Sequence, residues 1–143
     1  VIVIDCVVKD ALQAYETYAT VFETKLKESS KNLPKSAFNE VIFELEEMQF
    51  HLFDANPKMG WHIPDPKVSQ PLWFNLVVRD AQALYQRAVN AGFEVIVPLT
   101  EDKELGVLNG VVRDPFHYSW VIEQDLQLID FKTRRQILNQ RLQ

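Results

Sequence analysis

Hydrophobic and polar positions alternate over residues 1–8, with Val1, Val3, Asp5 and Val7 on one face and Ile2, Ile4, Cys6 and Val8 on the other. Period two predicts a strand. From Asp10 the period lengthens, and Ala11, Ala14, Tyr15, Tyr18, Ala19 and Phe22 recur at helical spacing. This predicts a helix over residues 10–23, with Asp10 accepting from the first-turn N–H groups. Residues 25–35 are polar, carry Ser29, Ser30 and Pro34, and read as a weak edge strand running into a loop. Residues 37–46 contain the strand Val41-Ile42-Phe43-Glu44-Leu45, Glu46-Glu47 mark a tight turn, and residues 48–53 form the next strand. Asp54-Ala55-Asn56-Pro57 ends it. The first half therefore reads β-α-β-β-β.

The second half repeats this order. Residues 7–15, VVKDALQAY, return as residues 77–85, VVRDAQALY, so that Asp10 and Asp80 lie 70 residues apart and each is followed five positions later by a tyrosine. A long fixed period in a short chain points to two copies of one supersecondary unit. Residues 72–78 are a strand and 80–90 a helix stopped by Ala91-Gly92. Residues 93–97 are a strand closed by Pro98, 100–104 a charged loop, and 106–113 and 118–123 strands joined by the turn Asp114-Pro115-Phe116-His117. Residues 57–70, with Gly60, Pro64 and Pro66, lack periodicity and form a linker that carries Trp61 and His62. The expected organisation is a single domain made of module one (1–56), linker (57–70), module two (71–124) and a C-terminal helix (126–143). In that helix Ile129, Ile137, Leu138 and Leu142 oppose Arg134, Arg135 and Arg141, a pattern suited to packing on its own domain.

Composition narrows the function classes. The 143 residues are 47% hydrophobic and 24% charged, with a net charge of −5, which gives no electrostatic footprint for nucleic acid. Residues 1–8 are too short, and include Asp5, to form a signal peptide or a membrane span. The lone Cys6 excludes an internal disulfide, fits a reducing, cytoplasmic setting, and reads as a small buried apolar residue. Four scattered glycines leave no phosphate-binding loop, and Ser119 lacks the setting of a hydrolase nucleophile.

Four stretches resemble the vicinal-oxygen-chelate superfamily, the glyoxalase/bleomycin-resistance/dioxygenase group. They are VVKDALQAY (7–15), FHLFDANP (50–57), VVRDAQALYQRAVNAGFEVIVPL (77–99) and GVVRDPFHYSWVIE (110–123). The last two, with the Asp-Ala-Asn-Pro stretch, are similar to the PhnB-like branch. That branch usually has Gly-His after Asp-Pro-Phe, where this chain has His117 and Tyr118. The resemblance covers residues 3–123 and implies an α+β fold of tandem βαβββ modules forming a glyoxalase-like paired-sheet cup, commonly as a homodimer. For activity it implies little, because the scaffold hosts lyases, isomerases, dioxygenases, thiol transferases and drug-sequestering proteins.

In metal-using members of the superfamily, His and Glu ligands come from the first and last strands of both modules. Carried over by motif, those positions fall on Val3, His51, Trp73 and Val121. Only His51 can bind a metal, and one imidazole does not hold a divalent ion, so no metal and no cofactor is expected. A slip of one position would bring in Glu44 or Glu123, at the cost of turning neighbouring side chains to the wrong face. Asp5 and Asn75 are repeat equivalents expected to point into the cup beside His51, Trp73 and Val121, with Phe43 or Glu44 joining them. The alternative is that Asp5, Asn75 and His51 bond one another and fill the cavity.

Three functions follow. The leading one is a metal-free protein that binds, and so sequesters, a small molecule in the cup through Asp5, His51, Trp73, Asn75 and Val121. The second is an acid–base enzyme with His51 as general base and Asp5 orienting it. The third, a divalent-metal lyase or dioxygenase, is opposed by the ligand positions. His117 and Tyr118 are expected at the surface, and Trp61 and His62 to pack locally, at a subunit contact or as a lid. The expected partners are a small molecule and a second copy of the chain, with no nucleic acid and no membrane.

Overall fold

Strand β1 (Val3–Val8) passes through Asp10 into helix α1 (Ala11–Val21), followed by β2 (Thr24–Ser29), β3 (Glu40–Leu45) and β4 (Met48–Asp54). The structure is a computed structural model that describes residues 1–34 and 38–143. The second half runs β5 (Phe74–Val77), α2 (Ala81–Asn90), β6 (Glu94–Asp102), β7 (Val107–Arg113), β8 (Ser119–Asp125) and then α3 (Phe131–Leu142). The sheets are ordered β1-β4-β3-β2 and β5-β8-β7-β6. In each, the first strand lies parallel to the last and the other pairs are antiparallel. The fold is thus α+β, two βαβββ modules and a C-terminal helix. Two compact units contain Val1–Gln70 with Pro115–Tyr118, and Pro71–Asp114 with Ser119–Gln143.

The 70-residue period reaches individual hydrogen bonds. Asp10 Oδ1 accepts from the N–H groups of Leu12 and Gln13, and Asp80 Oδ1 from that of Ala83. The first helical N–H is taken by the last strand: Ala11 donates to Asp54 Oδ1 at 2.8 Å, and Ala81 to Gln124 Oε1 at 3.0 Å. Positions 54 and 124 are themselves repeat equivalents. Cap and strand together satisfy donors that a helix start would otherwise leave orphaned.

In the first unit, alternation sends Cys6, Val8, Val41, Phe43, Leu45, Phe50 and Leu52 to the buried face beneath Ala11, Ala14, Tyr18 and Val21. Phe43 is central, its ring 5.3 Å from Tyr15 and from Phe50 and 6.0 Å from Tyr18. Glu46 and Glu47 form the β3–β4 turn with φ of 48° and 67°, the left-handed pair that a two-residue hairpin requires. Trp61 exchanges backbone hydrogen bonds with Asn56 and packs locally, edge-on to Phe53 and Phe38. Phe116 sets its ring edge against Tyr18, and the Tyr118 hydroxyl donates to the Val7 carbonyl at 2.9 Å, so Tyr118 is a structural contact. His117 adopts φ 75°, a left-handed conformation that non-glycine residues seldom take.

In the second unit, Leu76, Val112, Trp120 and Ile122 are buried with Ala81, Leu84 and Ala88 of α2. The buried Asp114 accepts from Trp120 Nε1 at 2.9 Å, which satisfies a polar pair inside the core.

Several expectations are corrected. The first strand starts at Val3 and β5 at Phe74, leaving Trp73 outside the strand. Pro98 does not close a strand, and residues 100–102 are not loop, since β6 runs from Glu94 to Asp102. Its pairing shifts register between Val95 and Val97 and again between Val97 and Thr100. Gly110 of β7 makes room there: a Cβ would meet the Val97 carbonyl oxygen at 2.9 Å and Leu99 Cα at 3.0 Å. β6 is an edge strand, so a proline without an N–H is tolerated in it. The tail helix begins at Phe131, capped by Asp130, and buries none of its residues. It is tied down by Arg141, whose guanidinium donates to both Asp102 oxygens (2.7 and 3.1 Å) and to Glu104 (2.9 Å). The loop predicted through Lys35 and the strand start predicted at Ala37 lie outside the described residues.

Two predictions follow from this packing. Phe43→Ala should cost about 3–5 kcal/mol in urea unfolding, by lost burial and a cavity, while Leu128→Ala, at 91% exposure, should change little. The Arg141 contacts hold the Asp102 carboxyl down at about 2, below its ordinary 3.8. Tethering is therefore complete above the ordinary value and is lost as pH falls through about 2. Arg141→Ala should raise amide exchange and protease cutting across residues 126–142 at neutral pH, with little effect on global unfolding, because the pair is solvent-screened.

Candidate functional site

Each sheet has one face packed by its helix and one face without it. On the latter face of the first sheet, β1 contributes Asp5, β4 contributes His51 and Phe53, and β3 contributes Glu40 and Ile42. Strand pairing sets Asp5 beside His51, and His51 beside Ile42. The His51 ring bridges two carboxylates, with Nδ1 3.4 Å from Asp5 Oδ1 and Nε2 3.0 Å from Glu40 Oε1. Its side chain is 26% exposed, against 60% for Asp5 and 43% for Glu40. The ring also lies 5.2 Å from Phe53, and Phe53 lies 5.0 Å from Trp61. A half-buried imidazole is thus held by an acid on either side and backed by aromatic rings.

Glu40 itself is held by its backbone. Its N–H donates to Ser30 Oγ at 3.0 Å and its carbonyl accepts from Ser30 N–H at 3.0 Å. The neighbouring Asn39 N–H donates to Asp54 Oδ2, so the carboxylate that caps α1 also fixes the entry to β3. Next to Glu40 opens a groove of about 560 Å3, lined by Glu28, Ser29, Ser30, Leu33, Pro34, Phe38, Glu40 and Ile42.

Of the residues singled out from sequence, Asp5 and His51 meet. Asn75 and Val121 face each other in register in the second module, and Trp73 precedes its strand at 56% exposure. Asp5 and Asn75 each find a partner in their own module, His51 and Glu123 respectively. Phe43 does not join the polar face. It is 1% exposed on the opposite side, under α1. Glu44 does share the face of Glu40 and Ile42, paired with Lys27 at 3.5 Å. Glu123 needs no register slip to reach the face of Val121, since it lies two positions along the same strand. The sequence reading missed Glu40. The Glu46-Glu47 turn held the signal, because a two-residue hairpin there fixes the pairing and places Glu40 next to the His51 row.

Glu123 is the second polar feature. Burial pushes its carboxyl upward, and the hydrogen bond and charge of Asp125 push the same way, opposed by Asn75 and Arg134. Two carboxyls sharing a hydrogen bond need a proton between them.

No family model matches the chain. Uncharacterised proteins of Mycobacterium bovis and Mycobacterium tuberculosis are 40% identical to it over 60 residues, 42% of the chain. That stretch spans only 39% and 35% of their own lengths. Solved structures extend the likeness in shape. The fosfomycin resistance protein FosX of Listeria monocytogenes, a mutant complexed with Mn(II) and 1S,2S-dihydroxypropylphosphonic acid, has a TM-score of 0.70 at 12% identity, covering 95% of this chain and 96% of that one. FosX of Mesorhizobium loti has 0.65 at 11% identity, covering 96% of each. TioX of Micromonospora sp. ML1 has 0.62 at 17% identity, covering 87% and 98%. The chain has the α+β fold of these neighbours.

Because Glu123 binds its proton more readily folded than unfolded, stability should fall as pH rises from the ordinary carboxyl value through its raised one. Glu123→Gln keeps the hydrogen bonds without the charge. Urea midpoints from pH 4 to 8 should therefore show a flatter decline for the variant, and parallel curves would contradict this assignment.

Proposed function

We propose that the chain is a PhnB-like small-molecule-binding protein that works without a metal ion. The ligand lies against the open sheet faces, touched by Asp5 and His51 in the first module and by Trp73, Asn75 and Val121 in the second. A cytoplasmic homodimer is the working form. The observation that carries this reading is the clamp on His51. Both ring nitrogens already face carboxylates, which leaves the imidazole as a fixed polar floor among aromatic rings. Apolar walls with a few oriented polar groups are the usual make-up of a small-molecule site.

The donor set does not fit a divalent ion. At the four positions where metal-using members would supply ligands, Val3, Trp73 and Val121 offer no lone pair. Asp5 and Glu40 sit at opposite nitrogens of one ring and do not converge on a point. Among the described residues no group of three or more His, Cys, Asp or Glu side chains is arranged to hold a metal. The Asp5–His51 pair taken alone would also suit a general base. Glu40 on the second nitrogen disfavours that reading, since a substrate proton would have to displace it.

Offering Mn2+, Zn2+ and Ni2+ to the purified protein should leave the melting temperature unchanged. A stoichiometric metal, with a rise that grows with the logarithm of its concentration, would overturn the metal-free reading. His51→Gln should fold normally and lose ligand-induced shifts at Asp5 and Phe53 in NMR spectra.

A further inference from the structure

The groove beside Glu40 has a chemical bias of its own. Its walls are apolar at Leu33, Pro34, Phe38 and Ile42, and its polar side carries the carboxylates of Glu28 and Glu40. Phe38 begins a row of rings that runs through Trp61 (6.0 Å) and Phe53 (5.0 Å further) to His51 (5.2 Å). The Glu40 carboxylate stands at the junction of groove and row, its backbone fixed by Ser30. At about 560 Å3 the groove is the size of a small-molecule site. Lys27, on the neighbouring strand, is engaged by Glu44. The described lining of the groove thus carries two carboxylates and no cationic side chain.

From this we infer that the ligand of the first module is a small organic cation, an alkyl- or arylalkyl-ammonium. Its apolar body fills the groove against Phe38 and Ile42, and its charged head lies between the Glu40 carboxylate and the aromatic row. Carboxylate and ring faces both attract such a head, and a weakly hydrated ammonium loses little on leaving water. An anion such as a phosphonate would meet Glu28, Glu40 and Asp5 with repulsion. This assignment rests on the small-molecule-binding reading above and adds the charge and shape of the ligand.

The test uses three probes of one size on the full chain: benzyltrimethylammonium, benzyl alcohol and benzylphosphonate. Calorimetry and amide NMR should show saturable one-to-one binding of the ammonium alone, with shifts at Phe38, Glu40 and Ile42. Glu40→Gln should weaken it about tenfold, the worth of one charge-assisted contact, and Phe38→Leu should weaken it while leaving the melting temperature near that of the parent. Raised salt should weaken it further. Tighter binding of the phosphonate or the alcohol, with His51 shifted, would overturn the cation assignment and leave the binding reading standing. Ammonium binding indifferent to both Glu40→Gln and Phe38→Leu would overturn the assignment as well. Silence from all three probes at high concentration would sink both.

Discussion

One carboxylate holds the first module together at the point where its strands, helix and return hairpin meet. Asp54, at the end of β4, accepts from the first N–H of α1 through one oxygen and from Asn39 through the other. The parallel β1–β4 pair forces the chain to cross over the sheet through a helix, and a crossover leaves bare N–H groups where the helix starts. Satisfying them from the neighbouring strand locks the helix to one face. The other face is then left for chemistry. Gln124 does the same for α2 with an amide oxygen, so the link needs an acceptor and not a charge.

Most of this architecture is legible in the sequence because it rests on local rules. The period change at Asp10 and Asp80, the capping carboxylates and the repeated order of elements all survive in the structure. What was not legible depends on partners distant in the chain. Pro98 reads as a strand end because proline withholds a donor, yet an edge strand bulging over Gly110 accommodates it. The tail reads as amphipathic, but Arg141 anchors it by charge and none of its residues is buried. At the site, Asp5 was found through the repeat that pairs it with Asn75, and His51 through the motif positions of the resemblance. Glu40 was passed over because its closeness to His51 depends on hairpin register, and of the alternatives Phe43 and Glu44 it is Glu44 that shares the face.

The two modules keep the same scaffold and differ on the face that the helix leaves open. Asp5 becomes Asn75, His51 becomes Val121 and Phe53 becomes Glu123 at equivalent positions. The helix-capping Asp10 and Asp80, and the buried Ala11 and Ala81 that follow them, are the same in both copies. The first face is an imidazole clamped by acids among rings, and the second is a carboxyl pushed upward by burial and by Asp125, with an amide beside it.

The bulged β6 strand has a bearing on how this protein meets other chains. Val95, Ile96 and Val97 are all more than a third exposed, an apolar run at the rim of a sheet. Such a rim normally invites another strand to continue the ladder. Here the register is broken twice within a few residues, and Pro98 contributes no N–H. The surface can adhere through its side chains, but it cannot template a growing sheet, so the chain carries an oily margin without the seed of a fibril.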